Sequence, residues 1–168
     1  MERRFEIEKI EISNLYSLIT NPLRRDTLAR KQQGVGVVII SDRKILMVQE
    51  NRKDKKYGTE VDMWSFPAGT MEKEESPADT AMREVLEETN SRITSLEYFG
   101  SYFYTNQAIG HIYLGNIDPE PDGLKSNDSD IKNVKWIPIE RMLNGEMNLR
   151  PFVKEIVMDV TLNGHDSK

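Results

Sequence analysis

The chain has 168 residues, of which 38% are hydrophobic and 30% are charged, a composition that suits one folded domain with its own core. It contains no cysteine, which excludes disulfides, thiolate metal ligands and a thiol nucleophile. A net charge of -5 argues against general nucleic-acid binding, and the sequence shows no membrane-spanning stretch, so we expect a cytoplasmic protein.

Residues 1–33 are predicted to form an N-terminal extension, with a short strand over 5–12 and a short helix over 22–31. The helix carries a basic cluster that has two readings. It is either a solvated face or a contact to phosphate, including phosphate bound at the site of a homodimer partner. The cluster consists of Arg24, Arg25, Arg30 and Lys31.

The main domain, residues 34–168, is predicted to begin with a β-hairpin. Residues 34–40, GVGVVII, read as a buried strand, and residues 44–50, KILMVQE, as the returning strand. Gly34 and Gly36 lack the third glycine or the lysine of a phosphate loop. We therefore expect these glycines to allow close packing of the backbone.

A polar loop over residues 51–62 contains Arg52, Lys53, Lys55 and Lys56. This local positive charge either steers an anionic substrate toward a site or is only a solvated loop. Arg52 is our candidate substrate-binding residue in the loop. Residues 64–68, WSFPA, are predicted to form the strand that leads into Gly69.

A helix is predicted to begin at Pro77, with Ser76 as its N-cap and Asp79 placed to support that cap. Its apolar residues recur at helical spacing and are expected to face the core. They are Ala78, Ala81, Met82, Val85 and Leu86.

The same helix carries Glu84, Glu87 and Glu88, which are neighbours because residues three or four apart lie side by side. Like charges at this spacing destabilise a helix by roughly 0.2–0.5 kcal/mol per pair. Arg83 offsets only part of the repulsion, whereas a hard cation such as Mg2+ would bind these carboxylates. Without the surrounding motif, three glutamates at this spacing more often form a solvated acidic helix face than a metal site.

The residues around these glutamates complete a longer motif. Gly69 is followed by five residues and Glu75, and then by seven residues and the run REVLEE from Arg83 to Glu88. This spacing resembles the signature of the Nudix hydrolases, G-x5-E-x7-R-E-U-x-E-E-x-G-U, in which U is a bulky aliphatic residue.

Two positions depart from that signature. Asn90 stands where the family has glycine, and Ser91 where it has an aliphatic residue. Asparagine tolerates the left-handed conformation that closes such a helix, so we expect the helix end to be preserved. Ile93 is expected to replace the apolar anchor that Ser91 lacks.

The resemblance covers roughly residues 34–142 and implies a Nudix α/β/α sandwich with a mixed β-sheet. It also implies that Glu75 and Arg83 pair to brace the loop against the helix. The cofactor would be Mg2+, with Mn2+ as a substitute. By the same resemblance, the metal ligands would be Glu84, Glu87, Glu88 and the backbone carbonyl of Gly69.

After the helix, two long strands are predicted over 93–105 and 108–117, joined by a turn at Asn106 and Gln107. The first strand is rich in aromatic residues, and a ring can stack on any nucleotide base. Tyr102 and Tyr104 are our candidates for this contact. His111, in the second strand, is expected to be a packed residue.

Residues 118–130 form an acidic loop, and the segment that follows contains Trp136. By the resemblance, a carboxylate in this loop joins the metal site or acts as the base, with Asp130 the first choice and Asp128 the second. The alternative is that the loop is only acidic and mobile. A short helix is predicted from Pro138 to 143, and a closing helix over 148–162.

The resemblance implies Mg2+-dependent hydrolysis of a diphosphate linkage in a nucleoside diphosphate derivative. Candidate substrates are nucleoside triphosphates, nucleotide sugars and dinucleoside polyphosphates. The main alternative is a Nudix domain that senses a nucleotide without cleaving it. A structural metal-binding protein also stays open. The isomerase branch of the superfamily is set aside because it employs a cysteine, and this chain has none.

Overall fold

The computed structural model describes residues 7–11, 32–104, 108–118 and 123–163. The predicted helix over 22–31, with its four basic residues, lies outside the described residues, as does the predicted turn at Asn106 and Gln107.

The described residues contain eight strands and three helices. The strands are β1 (Ile7–Lys9), β2 (Gln32–Ser41), β3 (Lys44–Glu50), β4 (Trp64–Ser65), β5 (Ala68–Thr70), β6 (Ile93–Tyr104), β7 (Ala108–Ile117) and β8 (Ile131–Pro138). The helices are α1 (Pro77–Thr89), α2 (Ile139–Leu143) and α3 (Val153–Leu162).

The strands form one mixed sheet in the order β1-β6-β7-β2-β3-β4, with β5 added to β2 and β8 added to β3. β2 and β7 run parallel, and the other paired strands run antiparallel. β1 joins the sheet through β6, so part of the N-terminal extension is paired with the main domain. The predicted α/β class with a mixed sheet is confirmed.

Helices cover both faces of the sheet. Successive side chains of β2 point to opposite faces, and they are buried in two separate hydrophobic clusters. Val35, Val37 and Ile39 of β2 pack in one cluster with residues of α1. Val38 packs in the other with residues of α2 and α3. This two-sided packing is the physical basis of the predicted sandwich. The helical members of the clusters are Ala81 and Val85 on one side, and Met142, Val153, Ile156, Val157 and Val160 on the other.

The predicted inward face of α1 is partly wrong. Ala81 and Val85 are buried, but Met82 is 47% exposed and Leu86 is 42% exposed. The inward face instead continues through Glu84 and Glu88, and Thr80 is buried beside them. Residues 81, 84, 85 and 88 share one face, whereas 82 and 86 are rotated by about 100° from 81 and 85.

Both ends of α1 follow the sequence prediction. The side chain of Ser76 accepts a hydrogen bond from Asp79 N at 3.2 Å, and Asp79 Oδ2 accepts one from Ser76 N at 3.2 Å. These reciprocal bonds form a capping box. Asn90 closes the helix with φ of 56° and its N–H donates to Leu86 O. Ser91 is buried, and Ile93 packs against the adjoining hydrophobic cluster.

Several predicted boundaries differ from the structure. β2 extends beyond the predicted 34–40 and begins at Gln32, within the predicted N-terminal extension. The strand predicted over 64–68 is divided into β4 and β5 at Pro67, which has no N–H to donate to a sheet. The closing helix begins at Val153 and not at 148. Its first predicted residues pair with Trp64 instead: Trp64 N donates to Asn148 O at 2.8 Å, and Arg150 N donates to Trp64 O at 3.0 Å.

Gly36 has the close packing that the sequence predicts. A Cβ atom at this position would lie 2.4 Å from a ring carbon of Phe66. In the parts of the chain that the structure describes, no helix has the length and apolar character needed to cross a membrane.

Candidate active site

The site is built where α1 packs against β5 at Gly69. β5 holds Gly69 opposite Val35 of β2, and the carboxylate of Glu84 reaches this backbone from the helix. A Cβ atom at position 69 would lie 1.9 Å from Glu84 Oε1. Glycine is therefore required here, because any side chain would displace the carboxylate.

Glu88 lies one helical turn after Glu84 and approaches the same strand, β5. Its Oε2 accepts a hydrogen bond from Ala68 N at 2.9 Å, and the residue is 6% exposed. Burial raises the pKa of Glu84 and, more strongly, that of Glu88, whose pKa is raised further by the nearby charge of Glu84. Two buried carboxylates thus face the backbone of residues 68–69.

Arg83 braces this arrangement through all parts of its guanidinium group. Its Nε and Nη2 donate to the two oxygens of Glu75 at 2.7 and 3.0 Å. Its Nη2 also donates to Thr70 O at 3.1 Å, and its Nη1 to Glu84 Oε1 at 2.7 Å. The hydrogen bonds from Arg83 lower the pKa of Glu75 to about 2. The structure thus pairs the two residues that the motif was expected to pair.

Arg83→Lys is predicted to destabilise the protein by about 2 kcal/mol, since an ammonium group cannot make the forked pair with Glu75 and also reach Glu84. Urea denaturation of both proteins measures this difference. Arg43→Lys is the matched control, because Arg43 bonds Glu140 in an exposed pair that contributes little. Equal losses in the two variants would contradict the bracing role of Arg83.

Glu87 does not share the buried position of the other two glutamates. It is exposed, and its Oε2 accepts a hydrogen bond from Arg83 Nη1 at 3.2 Å. Within the described ranges, no group of three acidic or histidine side chains has the positions needed to hold a metal ion. The two inward carboxylates nevertheless suit Mg2+, which proteins bind through one or two carboxylates, with water and substrate phosphates as the other ligands.

The acidic loop is attached to the end of α1, with Asn127 N donating to Glu87 O at 2.9 Å. The charge of Asp128 contributes to the raised pKa of Glu84. Asp130 forms an ion pair with Arg52 at 3.0 Å. Both candidate bases therefore lie at the edge of the site, and the choice between them stays a prediction.

A cavity of about 280 Å³ opens beside Gly69. Its wall combines the backbone of β5 with cationic and aromatic side chains, a mixture suited to phosphate and base groups. The side chains include Arg52, Lys56 and Arg150 among the cations, Asp54 as an acid, and Tyr57, Tyr104 and Phe152 among the aromatic residues.

Two of the three predicted substrate-binding residues, Arg52 and Tyr104, line this cavity. The placement of Tyr102 argues against the role predicted for it. Tyr102 is 3% exposed, and its hydroxyl donates to Asp159 Oδ2 at 2.6 Å. Tyr102 and Tyr104 are two residues apart in β6, so strand alternation gives them the same face and cannot separate them. Only Tyr104 lines the cavity, because the two rings lie at different positions along the strand.

The sequence indicated no place in the site for Glu50, Arg150 or Phe152. Glu50 ends β3 and is buried, with its Oε1 3.1 Å from Arg150 Nη1. Phe152 packs against Tyr104, with ring centroids 4.7 Å apart. Arg150 precedes Pro151 in a segment predicted to be helical, and no local pattern indicated its position.

His111 is packed, as predicted, within a polar chain across the sheet. Ser101 Oγ lies 2.9 Å from His111 Nδ1, and Gln33 Oε1 lies 2.8 Å from Nε2. Burial lowers the pKa of His111, which is consistent with a neutral ring bonded at both nitrogens.

The family model of the NUDIX domain matches residues 30–158. The chain therefore belongs to the Nudix family. The motif from Gly69 to Glu88 and the two-sided sheet are in agreement with this membership.

Curated relatives support the same family. Nucleoside diphosphate-linked moiety X motif 6 of Mus musculus is 44% identical over 128 residues, which are 72% of this chain and 39% of that protein. Nudix hydrolase 6 of Arabidopsis thaliana is 29% identical over 136 residues, 77% of this chain and 47% of that protein. The chain spans less than half the length of these relatives.

A solved NUDIX hydrolase from Nitrosomonas europaea shares the fold. Its TM-score is 0.67 and its sequence identity 26%, and the match covers 79% of this chain and 90% of that chain.

Proposed function

We propose that this chain is a Mg2+-dependent hydrolase that cleaves a diphosphate linkage in a nucleoside diphosphate derivative. The observation that carries the proposal is the pair of buried carboxylates, Glu84 and Glu88, held against the backbone at Gly69. Ala68 and Gly69, which these carboxylates face, also line a cavity that contains Arg52, Lys56 and Arg150. Burying two like charges this close without a cation is costly, so the arrangement favours a bound metal ion.

Glu84, Glu88 and the carbonyl of Gly69 would hold the metal ion, with Glu87 joining them if its side chain leaves Arg83. Mn2+ is the expected substitute. When bound, the ion would neutralise charge on the diphosphate and favour attack by water at phosphorus.

The other residues have separate roles in this proposal. Arg52 and Lys56 bind phosphate oxygens, for which cationic donors are suited. Tyr57 and Tyr104 offer rings to a base. Asp128 or Asp130 accepts the proton of the attacking water.

The similarity to a protein named for a nucleoside diphosphate-linked moiety supports this class of substrate. Nucleoside triphosphates, nucleotide sugars and dinucleoside polyphosphates remain the three candidates. A cytoplasmic location remains a prediction from the sequence. The sequence leaves the oligomeric state open, and a homodimer that exchanges the N-terminal extension remains one hypothesis for it.

The test is a phosphate-release screen over these three classes of substrate, with and without Mg2+ and with added pyrophosphatase to reveal released pyrophosphate. We expect turnover on one class, loss of turnover in EDTA and recovery with Mg2+ or Mn2+. Turnover that persists in EDTA would contradict the metal dependence. No turnover on any substrate, together with tight nucleotide binding in calorimetry, would favour the non-catalytic sensor.

A further inference from the structure

Arg150 is held in place by the segment that leads into the site. Its backbone N–H donates to Trp64 O at 3.0 Å, and Leu149 forms a parallel bridge with Trp64. Trp64 begins the short stretch that continues through Phe66 to Gly69. The position of Arg150 relative to the loop is therefore determined by backbone hydrogen bonds.

The side chain of Arg150 is also held on two sides. Its Nη1 lies 3.1 Å from Glu50 Oε1, and its guanidinium carbon lies 4.8 Å from the centroid of the Phe152 ring. Phe152 is in turn packed between Phe66 and Tyr104. A guanidinium group stacked on a ring keeps its N–H edges available for acceptors.

Stability alone does not explain a buried ion pair at this position. The side chains of Arg150 and Glu50 are only 14% and 6% exposed, and removing such a pair from water costs about as much as its attraction returns. Arg150 Nε is buried and has no hydrogen-bond partner in the described part of the chain. Arg150, which lines the cavity, thus has one donor that its pair with Glu50 does not satisfy.

The other two cations of the cavity are placed differently. Arg52 has a side chain that is 57% exposed and pairs with Asp130. Lys56 is exposed and donates to Gln32. Arg150 is the most restrained of these three cations, and a restrained donor loses less conformational entropy when it binds an anion.

We propose that Arg150 is a substrate-binding residue that binds a phosphate group in the cavity beside Gly69, and that Glu50 positions its guanidinium group. This inference rests on the proposed function, because it assigns a residue to the nucleotide of that same site. The ligand class is a nucleoside diphosphate, with its phosphate at Arg150 and its base near the rings of Tyr104 and Tyr57.

The competing interpretation is that Arg150 only neutralises Glu50. The single substitution of Arg150 would leave Glu50 buried and unpaired, and it could therefore unfold the protein. The double variant Glu50→Gln/Arg150→Gln removes both charges and retains two amides that can bond each other. Lys154→Gln is the matched control, because it removes an exposed charge at the start of α3.

The experiment measures binding of ADP and of adenosine by calorimetry in EDTA, so that the metal site does not decide the result. We expect the double variant to bind ADP about tenfold or more weakly than the unsubstituted protein. Adenosine affinity and the thermal midpoint should change little, and Lys154→Gln should leave ADP affinity unchanged. Arg150→Lys, which keeps the charge without the planar fork, should be intermediate.

The proposal is overturned if the double variant binds ADP as tightly as the unsubstituted protein does. It is also overturned if the double variant loses adenosine affinity by the same factor as ADP affinity. A third contrary result is an unsubstituted protein that does not bind ADP. The hydrolase proposal fails separately. If the substrate screen shows no turnover but the double variant loses ADP binding, Arg150 still binds phosphate in a site that does not catalyse.

Discussion

Glu88→Gln is expected to reduce turnover by about 100-fold or more, since loss of a metal ligand should exceed the 10- to 100-fold effect of losing a residue that only supports one. The fold should persist. The amide oxygen of glutamine can still accept the hydrogen bond that Ala68 N donates to Glu88 Oε2 at 2.9 Å. Glutamine is also neutral, which relieves the cost of a buried charge.

Steady-state kinetics and thermal melting of this variant separate catalysis from folding. Glu97→Gln is the control, because it makes the same chemical change at an exposed residue of β6. Near-normal turnover by Glu88→Gln would show that this carboxylate does not bind the metal ion. A large fall in melting temperature without loss of turnover would assign Glu88 a structural role.

Gly69→Ala is expected to remove most activity by a different route. The added Cβ would lie 1.9 Å from Glu84 Oε1 and 2.1 Å from its Cδ, so the carboxylate must leave its position against the loop. Overpacking of this kind costs about 1–3 kcal/mol of stability, and the displaced carboxylate should lower turnover by about 100-fold.

Gly100→Ala tests whether this effect is specific to the site. Its added Cβ would meet Lys9 Cε at 3.2 Å, and the flexible lysine side chain can move away. Urea denaturation and kinetics should show a small change for Gly100→Ala and large changes for Gly69→Ala. A fully active Gly69→Ala protein would contradict the contact between Glu84 and the loop.

Local patterns were sufficient where one segment determines its own conformation. β3 has the predicted bounds of 44–50, because a β-branched and apolar run bounded by a turn specifies a buried strand. The capping box of Ser76 and Asp79 and the left-handed Asn90 were also predictable. In each case the hydrogen bonds join residues close in sequence.

Local patterns failed where burial opposes hydrophobicity. The apolar residues of α1 predicted that Met82 and Leu86 face the core, but both are exposed while Glu84 and Glu88 are buried. Hydrophobic spacing cannot identify a helix face that buries carboxylates. The burial of Tyr102 could not be predicted from local patterns either, because its hydroxyl bonds Asp159, which is 57 residues away.

The sequence by itself determined the family, through the spacing from Gly69 to Glu88, because a motif of fixed spacing can be read from one continuous segment. The resemblance to that family then implied the pairing of Glu75 with Arg83, which the structure contains. Only the tertiary structure decided which side chains share the cavity. Glu50 and Arg150 are 100 residues apart, and they meet because backbone hydrogen bonds join the segment before α3 to β4. Contacts at such a distance depend on how the elements pack, which no spacing within a single segment specifies.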